Sequence, residues 1–127
     1  MTICETIGRI EQVSIVKISG PLMCDTFSEV KEYLVDSMTN SGIVIAKMKD
    51  VGHIDAPGIG MMIGLHKQAL RDQRKILYVE PSNYVGKIIK LTETYRQMRF
   101  YYALDKMFEF NTELLPLKQQ IEEAYGR

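Results

Sequence analysis

The residues with the most chemical content lie between Val51 and Ala69, a stretch reading Val-Gly-His-Ile-Asp-Ala-Pro-Gly-Ile-Gly-Met-Met-Ile-Gly-Leu-His-Lys-Gln-Ala. Gly58, Gly60 and Gly64 fall where a helix is expected. A glycine-rich turn opening a helix suggests phosphate chemistry, because the free N–H groups of a helix start attract anions. The details do not support it. A dinucleotide fingerprint puts its third glycine at position 63, which is Ile63, and no Gly-Lys-Ser/Thr follows any glycine loop. His53 and His66 are the only histidines, and no cysteine or carboxylate stands at zinc-ligand spacing from either. His53 reads as a loop residue and His66 as a solvated helix residue. Cys24, near a helix start that can depress a thiol pKa, fits better as a small, partly buried apolar residue. No Ser-His-Asp or Cys-His set can be assembled from the spacing. Asp55 and His53 are the only titratable groups a reaction could draw on here, so an enzyme or ligand carrier is the weakest of the function classes. No cofactor and no metal are expected.

What Asp55 can do is cap a helix. It precedes Ala56-Pro57-Gly58. Proline belongs in a first helical turn, where its missing N–H is no loss, and a carboxylate ahead of it satisfies free donors. The helix is expected to run to about Arg71. Glycine inside a helix costs about 1 kcal/mol against alanine, so three together need a reason. Close backbone approach supplies one, either to the protein's own sheet or to a partner. Gly58, beside the loop, points towards an interface; for Gly60 and Gly64 both readings stand. Of the adjacent pair Met61 and Met62, one must turn away from the other. Methionine adapts to irregular binding faces, so one of them is a candidate exposed contact.

The elements that position this segment read as one α/β domain, 1–127, with a C-terminal helix. A weak first strand covers Thr2–Arg9. Val13–Ser19 alternates apolar and polar as a half-buried strand does, and Gly20-Pro21 ends it. Thr26 with Glu29 has the form of a capping box, ahead of an apolar stripe of Phe27, Val30, Leu34 and Met38. Gly42–Ala46 is a β-branched run suited to a central strand covered on both faces. Lys47–Asp50 leads out of it. Lys75–Glu80 is a fourth strand, Tyr84–Leu91 a third helix, Arg99–Leu104 a last strand. Glu113–Tyr125 closes the chain as a helix with Leu114, Leu117, Ile121 and Ala124 on one stripe. This stripe could cover a sheet edge or pair two copies into a homodimer. The order β-β-α-β-α-β-α-β-α implies right-handed crossovers and a largely parallel sheet, with the first two strands adding an antiparallel edge.

Composition narrows the function classes. The chain has 127 residues, and Lys plus Arg (16) equals Asp plus Glu (16). Such a balance leaves no basic footprint for nucleic acid. The aromatics Tyr95, Phe100, Tyr101, Tyr102, Phe108 and Phe110, interleaved with Lys90, Arg96 and Arg99, read as a strand with flanking core rather than a base-stacking face. Two cysteines, Cys4 and Cys24, make no disulfide framework. The first residues lack a signal peptide's basic start and apolar run. The longest apolar stretch falls well short of the roughly 20 residues of a membrane helix. A cytoplasmic location without membrane insertion is the expectation.

The Val51–Ala69 segment resembles the signature of the STAS domain, the family of bacterial anti-sigma factor antagonists and sulphate-transporter tails. In that signature an apolar strand leads to Asp, a Ser, a Ser or Thr, then Gly-x-Gly, and on into a helix. Asp55, Gly58 and Gly60 match, as do the apolar positions Ile59, Met62, Ile63 and Leu65. The strand to Gly20, the helix near Thr26 and Pro81-Ser82 before the third helix also fit, so the resemblance runs from about Ile3 to Phe108. It implies a STAS-like fold, no catalysis and a protein partner: an anti-sigma factor kinase or, alternatively, the ATPase of an ABC transporter that carries a small STAS accessory subunit. It places docking on the loop and start of the second helix, namely His53, Ile54, Asp55, Ala56, Pro57, Gly58 and Met61 or Met62. One departure is decisive. The position of the family's phosphorylated hydroxyl is Pro57, and the serine before it is Ala56. The phosphate switch, worth about −1.5 to −2 charge, is therefore absent at that site. The resemblance leaves open whether Thr26, Ser82, Thr92 or Thr94 replaces it.

Overall fold

The computed structural model describes residues 1–127. Strands β1 (Ile3–Ile10) and β2 (Val13–Ser19) form an antiparallel hairpin. They turn through Glu11, whose φ of 53° is left-handed. Then follow α1 (Phe27–Asn40), β3 (Ile43–Asp50), α2 (Ala56–Arg71), β4 (Lys75–Val79), α3 (Asn83–Thr92), β5 (Phe100–Tyr101), α4 (Leu104–Phe110) and α5 (Lys118–Tyr125). The five strands lie in sequence order, β2 to β5 all parallel. This is the mixed sheet expected, antiparallel only at the β1 edge.

Sequential order has a consequence for the layers. Crossovers of one hand that always step in the same direction put every connecting helix on the same face. Accordingly α1, α2 and α3 share one core with Val16, Ile18, Val44, Ala46, Met48, Ile76 and Tyr78 of the sheet. The opposite face, Val13, Ile15, Ile45, Leu77 and Val79, is closed by Met107, Phe108, Leu114, Ile121, Ala124 and Tyr125 of the C-terminal segment. Neighbours on β3 thus face different cores, and Val44, Ile45 and Ala46 are all fully buried, as a strand covered on both sides requires.

The C-terminal stripe therefore lies on a sheet face. It packs over the edge strand β1 and its neighbour β2 and is not left free to pair copies. Gly8 of β1 lets α5 come close, since a Cβ there would sit 2.5 Å from that of Ala124. Tyr125 fastens the helix: its hydroxyl donates to Glu80 Oε1 at 2.7 Å, and Lys47 Nζ donates to its carbonyl at 2.8 Å.

Four local expectations change. The Thr26–Glu29 capping box does not form: the Thr26 hydroxyl donates to the Pro21 carbonyl at 2.8 Å and accepts from the Met23 amide at 3.1 Å. The preceding loop thus takes the cap for its own turn. Strand β3 continues through Lys47–Asp50, because its pairing with β2 runs on to Asp50. The last strand shortens to two residues, and the chain turns into α4 at Leu104. The final helix starts late. Pro116 offers no N–H, and Thr112–Leu117 winds as a 3-10 helix before α5 begins.

Candidate functional site

The C-terminal ends of parallel strands form the edge where an open α/β sheet presents its loops. Here those of β2, β3 and β4 are bound into one unit. Beyond the regular strands, Leu22 and Ile54 form a parallel bridge. The Leu22 amide donates to the His53 carbonyl at 2.9 Å, and the Gly20 amide to the Asp50 carbonyl at 3.1 Å. On the other side Ser82 caps α3, accepting from the Val85 amide at 3.3 Å, and donates its hydroxyl to the Val51 carbonyl at 2.7 Å.

Asp55 is the centre of the unit. As the α2 cap expected from sequence, it accepts the Gly58 amide on Oδ1 at 2.8 Å. Its other oxygen, Oδ2, accepts the Cys24 amide at 2.9 Å. Both oxygens are engaged, so the carboxylate holds the site together while Asp55 itself stays half-exposed. Hydrogen bonds to a charged acceptor contribute about 1.5–3 kcal/mol each.

The docking residues inferred from sequence divide sharply. His53, Ala56 and Pro57 are exposed. Ile54 is in the core at 6% exposure, and so are Met61 at 5% and Met62 at 0%. The reason is placement: α2 is the middle helix of three, flanked by α1 and by the turn after α3, so both of its sides are covered as well as its base. Met62 even accepts the Tyr78 hydroxyl on its carbonyl at 2.9 Å. Gly58 also faces inward. A Cβ there would lie 2.2 Å from the Leu22 carbonyl oxygen, so its missing side chain serves the loop beneath it rather than an interface.

Gly60 and Gly64 are the reverse. Both are exposed, and a Cβ at either would meet nothing within 4 Å. Packing on the sheet does not explain them. Together with Ala56, Pro57 and Lys67 they make the outer stripe of α2, nearly free of side chains for its first two turns. Sequence reasoning leaves Gly60 and Gly64 open between sheet and partner and does not assemble this stripe, although the core set Ile59, Met62, Leu65 and Ala69 places positions 60, 64 and 67 opposite by helical periodicity. It also missed the rim. Met23 is 37% exposed and Tyr84 is 48% exposed. Cys24 is exposed as well, and the His53 ring meets Tyr84 edge-on at 5.3 Å. The exposed methionine beside the loop is Met23.

The remaining hydroxyls have internal partners. Thr26 is bound to Pro21, Ser82 to Val51, and Thr92 to both the Ile88 carbonyl and Thr94. His66 is half-buried, its Nδ1 shielded and without a partner. Desolvation, then the charges of Arg99 and Lys67, lowers its pKa, so it stays neutral near pH 7. No three His, Cys, Asp or Glu side chains converge as a metal site, and no helix is long and apolar enough to cross a membrane.

Three loops tied together by hydrogen bonds and a smooth helix stripe beside them form one surface at this end of the sheet. The family assignment follows from sequence: the STAS domain family matches residues 5–107, and the chain belongs to it. That family consists of protein-interaction modules rather than enzymes. No curated protein matches the chain significantly. Among solved structures, a candidate anti-sigma factor antagonist of Thermotoga maritima is similar at a TM-score of 0.68 and 19% identity, covering 79% of this chain and 87% of its own. The anti-sigma factor antagonist SpoIIAA in its unphosphorylated form gives 0.64 at 12% identity, covering 88% and 97%. A sulfate transporter family protein of Wolinella succinogenes gives 0.66 at 17%, covering 85% and 93%. At these identities the likeness is one of fold. The family match ends at residue 107, so α5 lies outside it.

Proposed function

We propose that this chain is a cytoplasmic protein-binding module of the anti-sigma factor antagonist type, which holds its partner without a phosphorylation switch at the family position. Docking uses the outer stripe of α2, Ala56, Pro57, Gly60 and Gly64, with His53, Met23 and Tyr84 at its rim. The observation that carries this reading is that Gly60 and Gly64 have open space around them. Two exposed helix glycines disfavour the free protein by about 1 kcal/mol each and allow a partner's backbone close approach. Pro57, which replaces the family hydroxyl, sits at the head of the same stripe.

The absence of hydroxyls at both Ala56 and Pro57 also favours a second reading, a permanently bound STAS accessory subunit on an ABC transporter ATPase or a signalling assembly. Affinity capture from native lysate with the wild type, Pro57→Asp and Gly60→Arg, followed by mass spectrometry, separates the two. An anti-sigma kinase retained by wild type and lost with both variants supports the first reading. A transporter ATPase with the same pattern supports the second. Retention unaffected by either substitution removes the α2 stripe as the docking surface.

A further inference from the structure

A second feature lies on α3, away from the α2 stripe. Between α3 and the segment after β5 runs a two-lobed groove. One lobe, of about 300 Å³, is lined by Pro81, Ser82, Asn83, Gly86, Lys87, Lys90 and Tyr102. The other, of about 240 Å³, is lined by Lys90, Tyr95 and Tyr102. Together they fall in the size range of small-ligand sites. No carboxylate lines either lobe.

The wall is fixed. Tyr102 is 46% exposed, yet its hydroxyl donates to the Gly86 carbonyl at 2.9 Å. Its ring lies over Gly86 so closely that a Cβ there would be 3.3 Å from Cε2. Phe100 packs edge-on behind it at 5.4 Å. An aromatic ring held at face, edge and hydroxyl, with its other side open, is a preorganised platform.

The cations beside it are uncompensated. The ion pairs of the molecule join Lys17 to Asp50, Lys75 to Glu113, Arg96 to Glu93 and Lys106 to Glu109. None uses Lys87 or Lys90. Three residues apart on one helix, these two ammonium groups repel each other, and an anion between them would reverse the sign of that interaction.

We propose that this groove is a binding site for a small organic anion, a phosphate or carboxylate carried on a flat ring. The ring lies on Tyr102 with Tyr95 at its far end, and the anionic group sits between Lys87 and Lys90. Phenyl phosphate is a suitable probe, followed in amide NMR spectra of the full chain. The expected result is saturable millimolar binding, with shifts centred on Gly86, Lys87, Lys90 and Tyr102. Inorganic phosphate should move the lysine amides with weaker affinity, and benzyl alcohol should bind more weakly than either. The Lys87→Ala/Lys90→Ala double variant, whose side chains are exposed, keeps the fold and should lose about tenfold in affinity, or about 1.4 kcal/mol. Tyr102→Leu should bind phenyl phosphate no better than inorganic phosphate. Absence of saturable shifts, shifts centred elsewhere, or undiminished affinity in the double variant would overturn the assignment.

Discussion

Asp55 and Cys24, 31 positions apart in sequence, are joined by a 2.9 Å hydrogen bond from the Cys24 amide to the carboxylate. With the bond from Gly58 to the other oxygen, it fixes the loop before α1 against the start of α2. The rim residue Met23 and the stripe residue Pro57 are held in register by one side chain.

Asp55→Ala should therefore do more than remove a cap. Loss of an N-cap costs about 0.5–2 kcal/mol, and the lost Cys24 bond, exposed and so partly replaced by water, adds about 0.5 kcal/mol, for a total of about 1–2.5 kcal/mol in urea unfolding. Hydrogen exchange should accelerate at Cys24 as well as Gly58. Acceleration confined to α2 would mean that the link to the first loop carries no energy.

The three α2 glycines should respond in opposite directions. Gly60→Ala and Gly64→Ala fill open space and should each stabilise the free protein by about 0.5–1 kcal/mol. Gly58→Ala drives a methyl into the Leu22 carbonyl and should destabilise. If the stripe is the docking face, the two stabilising variants should also bind the captured partner more weakly, a trade between stability and function that calorimetry and binding measured on the same samples would show.

Much of this arrangement was legible beforehand. Asp55 as the α2 cap, Pro57 in the first helical turn, the hairpin edge and the parallel order all follow from local signals, and the structure contains them. What failed depended on neighbours. Met61 and Met62 are adjacent, and one was expected to face out, but a helix flanked on both sides buries both. Thr26 had the right spacing for a capping box, yet the Pro21 carbonyl takes its hydroxyl. Gly58 beside an exposed loop resembles an interface residue, but the Leu22 carbonyl lies directly beneath it. Helix α4 was hidden because the Phe100–Phe110 aromatics read equally well as strand, and what sets it is the burial of Met107 and Phe108 in the core shared with Leu77 and Val79, Phe110 staying exposed.

The C-terminal segment makes a further prediction. Deleting residues 118–127 uncovers part of the face formed by Ile15, Ile45, Leu77 and Val79 and removes Ile121, Ala124 and Tyr125 from it. Each large apolar side chain so exposed forfeits about 1.5–3 kcal/mol. The truncated chain should be unfolded or aggregated at 25 °C, even though the family match ends well before the deletion. Tyr125→Phe, which loses only the bond to Glu80, should cost about 1 kcal/mol and leave the fold intact.

The two cysteines should behave differently with pH. Burial pushes the Cys4 thiol up to about 11, whereas Cys24 is exposed. Thiolate is the reactive form, so iodoacetamide at pH 8 should label Cys24 first and the half-buried Cys4 far more slowly. The shift also bears on stability. The unfolded thiol ionises near its ordinary value of about 8.5 while the folded one resists. The advantage of burying the neutral thiol is therefore fully present below about pH 8.5 and declines as pH rises towards 11. Tyr78 and Tyr125, likewise held neutral by burial, join only once their unfolded forms begin to ionise near pH 10. Between about pH 8.5 and 10 the thiol should dominate the slope, and Cys4→Ala should flatten it. An identical slope in wild type and variant, measured by urea unfolding across that range, would show that the Cys4 thiol is hydrated in the folded protein.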